Sequence, residues 1–207
     1  MGIPKVYPLA ASWGLFVLFN SSYLWGMTNL PQLATDITHK RGLVLILTQD
    51  SARQSKTELI AYLILKGPLF VLSGDEWLPS FVLPRVIREQ TTEVKAVLSK
   101  LHTARASTCY RLFDSLANLA PAGEPILVLE FLHTFYDEDI PLRTRLSKLR
   151  ESCRELKRLA LHRPVIVMTR QMGSLDYEKF LPALYSIADR TLTLEKETDP
   201  ISQPKLF

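Results

Sequence analysis

Lys56 and Thr57 are the residues on which a chemistry can be built. They end the window Asp50-Ser51-Ala52-Arg53-Gln54-Ser55-Lys56-Thr57, set between an apolar run, Leu43 to Leu47, and a second apolar segment, Leu59 to Leu65. Strand, polar loop, Lys-Thr, helix is the layout of a phosphate-binding loop, whose pattern is G-x-x-x-x-G-K-S/T. In that chemistry Ser55, Lys56 and Thr57 hold nucleotide, and Thr57 also holds magnesium. Both glycines are absent, and with them the backbone freedom that lets N–H groups close on phosphate oxygens. Ser55 is a small substitute. Asp50 would set a carboxylate near the phosphates, which costs energy unless a cation such as Arg53 intervenes. An ordinary strand–loop–helix explains the same residues without any ligand.

Two further carboxylates stand where strands should end. Leu69 to Leu72 is a short apolar strand running into Ser73-Gly74-Asp75-Glu76-Trp77, and Ile126 to Glu130 is a buried strand closed by an acid. Acids at the C-terminal ends of buried strands face the ligand crevice of an α/β sheet. Glu76 is the candidate to activate water, and Glu130 the candidate magnesium partner of Thr57. The bland readings are a solvated turn for Asp75-Glu76 and an exposed acid after a buried strand for Glu130.

A third feature is charge. The segment Arg143 to Leu161 reads as a helix with Leu142, Leu146, Leu149, Cys153, Leu156 and Ala160 on one stripe. Its other face carries Arg143, Arg145, Lys148, Arg150, Arg154, Lys157 and Arg158 against Glu151 and Glu155. Such a face suits a phosphate backbone, with Arg150, Arg154, Lys157 and Arg158 as the DNA-binding set, or it is a solvated surface with no aromatic residue interleaved. His39, His102, His133 and His162 show no metal-ligand spacing, and Cys109 and Cys153 read as buried thiols of a reducing compartment.

The elements that must position these residues follow from pattern. Leu30 to Gly42 is a helix or loop leading into the first central strand. Pro84 to Leu101 is helical by periodicity, His102 to Ala106 is extended, and Cys109 to Ala120 is a second amphipathic helix. Pro121-Ala122-Gly123-Glu124-Pro125 breaks the chain before the Ile126 strand. Phe131 to Pro141 reads as a loop, Pro164 to Thr169 as a buried strand, Met172 to Lys179 as a loop, and Arg190 to Leu194 as a last strand. Strands alternating with helices predict an α/β domain, a mainly parallel sheet flanked by helices.

The chain has 207 residues, enough for one full core, and is 47% hydrophobic and 22% charged, which excludes a disordered chain. A net charge of +4 is compatible with nucleic acid without demanding it. Residues 1–29 form an apolar N-terminal segment. Val6 to Phe19 has the outline of a signal peptide, and Asn20-Ser21-Ser22 matches a glycosylation acceptor. Pro8, Trp13 and Gly14 interrupt it and a single Lys5 precedes it, so it reads instead as a buried leading element or a patch that docks on a partner. It is too short to span a bilayer, and no membrane association is expected. Residues 30–196 form the core and 197–207 a polar tail.

Taken in order, these segments resemble the core of RecA/RadA-type recombinases and their paralogues. The loop ending in Lys56-Thr57 resembles Walker A. LFVLSGDE resembles the strand that ends in a catalytic glutamate, with Glu76 or Asp75 the nearest match. LHTARASTCYRLFDSLANL resembles an extended Ala-Arg-Ala piece leading into a helix. ILVLEFLHTFYDED resembles Walker B, where most members carry Asp in place of Glu130. VIVMTRQM resembles the strand ending in Thr-Asn-Gln, with Arg170 for Asn before Gln171, and ADRTLTLEK resembles a late strand carrying Thr-Arg-Leu. Phe180 to Ala183 matches the family's Phe-x-x-Ala polymerisation motif but follows the core instead of preceding it, and is treated as chance.

The resemblance implies a RecA-like P-loop-type fold. The missing glycines imply reduced or absent ATPase, with ATP and magnesium as doubtful cofactors. The nearest likeness is to the small paralogues of Shu-type complexes. It implies a nuclear accessory factor of homologous recombination, paired with another paralogue or a SWIM-domain protein, assisting the recombinase filament and touching DNA. The alternatives are an active magnesium-dependent ATPase of the same class, or a scaffold that shares the fold alone.

Overall fold

The computed structural model describes residues 30–49, 53–74, 82–170 and 175–194. The apolar segment 1–29, Asp50, the pair Asp75-Glu76, Gln171 and the tail lie outside the described residues.

Six strands form one sheet: β1 (Gly42–Thr48), β2 (Leu69–Ser73), β3 (Leu101–Arg105), β4 (Ile126–Leu129), β5 (Pro164–Arg170) and β6 (Arg190–Leu194). Their order is β3-β2-β4-β5-β1-β6, and every pairing is parallel. The register sets Gly42 against Pro164, Val44 against Arg190, Phe70 against Ile126 and Ile126 against Val165. The helices are α1 (Leu30–His39), α2 (Arg53–Lys66), α3 (Leu83–Arg88), α4 (Val94–Leu98), α5 (Cys109–Asn118), α6 (Leu142–Ala160) and α7 (Leu175–Tyr185).

The layering follows from handedness. Parallel crossovers are almost always right-handed, so connections running one way along a sheet lie on one face and those running back lie on the other. From β1 to β2 to β3 the chain moves toward one edge, and α2, α3 and α4 cover one face. From β3 to β4, β5 and β6 it moves back, and α5, α6 and α7 cover the opposite face. The inner strands β1, β2, β4 and β5 are buried on both sides, so their residues alternate between two cores, while the edge strand β3 is largely exposed. Leu43, Leu45 and Leu47 join Val128, Val167, Leu112 and Leu156. Val44 and Ile46 join Leu127, Ile166, Ile60 and Ile64, together with Leu33 and Ile37 of α1.

Three boundaries differ from the sequence expectation. The helix expected over Pro84 to Leu101 is two short helices, α3 and α4, and Leu101 already belongs to β3. The break falls at Thr91-Thr92, where the Thr91 hydroxyl accepts the Glu93 N–H at 3.2 Å and offers the backbone a turn in place of a helix bond. The aromatic stretch after Glu130 opens with a 3-10 turn, Phe131–Phe135, whose two Phe rings are fully buried with centroids 5.3 Å apart. Leu175 to Lys179, expected as loop, are the first residues of α7. Phe180 anchors that helix in the core, where its ring lies 6.3 Å from that of Phe135.

Both cysteines are buried free thiols, and burial pushes the Cys153 thiol up to about 12. Among the described residues, no helix is long and apolar enough to cross a membrane.

Candidate functional site

In an open parallel sheet, ligands meet the C-terminal strand ends where successive connections leave to opposite faces. Two such crevices exist here. The connection after β1 leaves to α2 and that after β5 to α7. Likewise the connection after β2 leaves to one face and that after β4 to the other. The residues at these ends are Lys56 in the first turns of α2, Gly74 after β2, Glu130 after β4 and Arg170 ending β5.

Glu130 joins them. Lys56 Nζ donates to Glu130 Oε1 at 2.7 Å, with side chains only 6% and 7% exposed. Arg170 Nε donates to Glu130 Oε2 at 3.1 Å, with the arginine about one third exposed at 32%. One carboxylate therefore bridges two cations from two different elements. Removing charges from water costs several kcal/mol per ion, and only close, hydrogen-bonded geometry offsets that. Lys56 also sits near the positive end of α2, where a cation is disfavoured; the Glu130 carboxylate compensates.

The backbone of Glu130 is held in an uncommon state. It adopts φ 50°, ψ 45°, the left-handed region, and is the sole non-glycine residue with positive φ among the described residues. That conformation costs a side-chain-bearing residue about 1–2 kcal/mol. It lets the chain leave β4 and enter the 3-10 turn, whose His133 N–H donates to the Glu130 carbonyl at 3.0 Å. Gly74 packs against the same carbonyl. Its N–H donates to Leu129 O at 2.9 Å, and a Cβ there would lie 2.7 Å from Glu130 O and 2.9 Å from Thr134 Cγ2. Only glycine fits.

Of the residues expected to hold nucleotide, Ser55 is half-buried, while Lys56 and Thr57 are buried in α2. Lys56 and Glu130 are brought into direct contact. Glu76 lies outside the described residues. Both Glu130 oxygens face cations, Oε1 toward Lys56 and Oε2 toward Arg170. Among the described residues, no group of three or more His, Cys, Asp or Glu converges on a metal-sized site.

The four residues expected on DNA divide into two pairs. Arg150 and Arg154 are exposed, one turn apart on α6. Lys157 Nζ instead donates to Asp189 Oδ1 at 2.6 Å and to the Ile187 carbonyl at 3.1 Å. Arg158 donates to Glu155 at 2.6 Å and to the carbonyls of Leu116, Ala117 and Leu119, which end α5. Arg145, also expected on the basic face, is buried at 7% exposure. It donates to the Phe135 carbonyl at 3.0 Å and lies 5.8 Å from the Phe180 ring centroid. Aromatic residues do adjoin this face: Lys148, paired with Glu151 at 2.6 Å, lies 4.4 Å from the Phe113 ring and 5.9 Å from that of Tyr110.

Arg170, Gly74 and Arg163 were not among the expected site residues. Arg170 had a legible signal, a cation directly after an apolar strand where the related pattern has Asn. Gly74 had a weaker one, a glycine closing a strand. Arg163 had none. It is 4% exposed and donates to the carbonyls of Ala120, Pro121, Ala122 and Glu124. A Cβ at Gly123 (φ 152°) would lie 3.0 Å from its guanidinium, a tight approach.

A second concavity, of about 350 Å³, lies at the opposite sheet edge between Arg41, Gly42, Lys157, Ala160, Leu161 and Asp189. Burial pushes the Asp189 carboxyl up, but hydrogen bonds from Lys157 and the Leu43 N–H outweigh it and hold the group below the usual carboxylate range.

Compared with models of known protein families and with curated protein sequences, the chain matches none.

Proposed function

We propose that this chain is a recombinase-paralogue accessory factor with a RecA-like core. It assists homologous-recombination repair in the nucleus through heteromeric assembly and DNA binding, with reduced or absent ATPase. The observation that carries this reading is the gathering of Lys56, Glu130 and Arg170 at neighbouring C-terminal ends of a parallel sheet. Those positions match, in order, the Walker A lysine, the Walker B acid and the polar position after the next strand. What supports a lost ATPase is the state of that site. The lysine that would meet phosphate and the acid that would meet magnesium are bound to each other. What supports DNA contact is the exposed pair Arg150 and Arg154.

The partner is another recombinase paralogue or a SWIM-domain protein, and the complex acts on the recombinase filament. Co-expression with such a partner should give a stable heteromer that binds DNA with salt-sensitive affinity and turns over ATP no faster than buffer. A monomeric chain that joins no such partner and binds no DNA would sink the reading. Steady magnesium-dependent ATP hydrolysis by the purified chain would instead establish the active hydrolase.

A further inference from the structure

The side chains at the C-terminal ends of β4 and β5 touch: Glu130 and Arg170 meet at 3.1 Å. The other oxygen of Glu130 takes Lys56 of α2 at 2.7 Å. An acid and two cations from three elements thus form one unit.

We propose that Glu130 is the resident anion of the Lys56–Arg170 site, an internal carboxylate seated where an external phosphate would otherwise be drawn. This rests on the phosphate-type reading of Lys56-Thr57, though not on any partner or DNA. Three observations carry it. Both carboxylate oxygens are engaged, one by each cation. The pair with Lys56 is nearly dry, so its attraction is little screened by salt. The Glu130 backbone is held left-handed with Gly74 pressed on its carbonyl, so the side chain cannot leave by a small backbone shift. The start of α2 and the ends of β4 and β5 are thereby tied together. With its charge removed, Lys56 and Arg170 each lose the carboxylate they meet here, and the place gains affinity for an external anion.

The test is calorimetry on the full chain with inorganic pyrophosphate, for wild type, Glu130→Gln and Glu130→Gln/Lys56→Gln. Wild type should show no binding. Glu130→Gln should bind pyrophosphate on the order of tenfold or more tighter than wild type, because a like charge has left the site, and the double variant should lose the gain. Wild type binding as tightly as Glu130→Gln, or a Glu130→Gln variant that gains nothing, overturns the proposal. If Glu130→Gln does not fold, Glu130→Asn replaces it, since Asn tolerates the left-handed backbone. If neither folds, the thermal midpoint of wild type with pyrophosphate decides: an unchanged midpoint supports a self-filled site and a rise rejects it. Gain of binding without a paralogue partner would remove the accessory reading alone; a proven heteromer whose Glu130→Gln form gains nothing would remove this inference alone.

Discussion

The two edges of the sheet both rely on buried or half-buried cations, but against different acceptors. At the C-terminal edge, Lys56 and Arg170 face a carboxylate, a full charge of the kind a ligand could replace. At the other edge and along the α5–α6 seam, Arg158 and Arg163 face peptide carbonyls. Those carbonyls end α5 and line the loop that follows, where the helix dipole is negative and donors are missing. Charge at the first edge is therefore exchangeable in principle, whereas at the second it is part of the fold. A count of basic residues cannot separate the two.

Removing one member of each group measures this difference. Lys56→Met should cost the most, about 3–5 kcal/mol, because it strands a buried carboxylate beside Arg170 alone. Denaturant unfolding reads it, and a loss under about 1 kcal/mol would show that the pair is solvated and the site open. Arg163→Met should follow at about 2–3 kcal/mol, the range of hydrogen bonds made by a charged group. That loss should be independent of added pyrophosphate in every background. If pyrophosphate changed it, the second edge would also be an anion site.

The Lys157–Asp189 pair gives a smaller, pH-dependent term. Asp189 titrates below its ordinary range when folded. Its contribution is therefore present above the ordinary carboxylate range and is lost as pH falls through the depressed folded value. Asp189→Asn should flatten the acid limb of the stability profile while leaving the plateau near neutral pH lowered. An acid limb of unchanged slope would assign acid unfolding elsewhere, Glu124 being the next candidate, since the hydrogen bond from His102 lowers it too.

The strands were legible because a doubly covered parallel strand needs a continuous apolar run, and LVLIL, ILVL and VIVM are such runs. The alternation with helices gave a mainly parallel sheet as the expectation, and every pairing is parallel. The seams were less legible. Periodicity carried one helix through Thr91-Thr92, where a side-chain turn bond breaks it. It assigned Arg145 to solvent because a guanidinium reads as surface, although a carbonyl and an aromatic ring at the right depth hold it inside. At the site, the residue types of Lys56 and Glu130 were legible and their contact was not. Seventy-four positions of sequence separate them, and only the order of β4, β5 and β1 in the sheet brings them together. The left-handed state of Glu130 carried no signal, since Gly or Asn would have marked such a turn and neither is there.

Arg150 and Arg154, with Arg143 at the start of the helix, are the exposed arginines of α6. The positive charges of Arg150 and Arg154 sit in the last two-thirds of α6, next to Glu151 and Glu155. Charge reversal of exposed helix residues usually changes stability by no more than about 0.5 kcal/mol. Arg150→Glu/Arg154→Glu should therefore unfold like wild type. If this face contacts a phosphate backbone, the same variant should weaken DNA binding by the assembled complex and reduce the steepness of its salt dependence by about two contacts. Arg158→Glu is the control. It should lower stability by breaking the α5 cap, and whatever DNA binding it loses should be regained once conditions restore the folded fraction. DNA affinity unchanged by the Arg150/Arg154 pair would leave α6 as a solvated helix and turn the search for the contact to another surface.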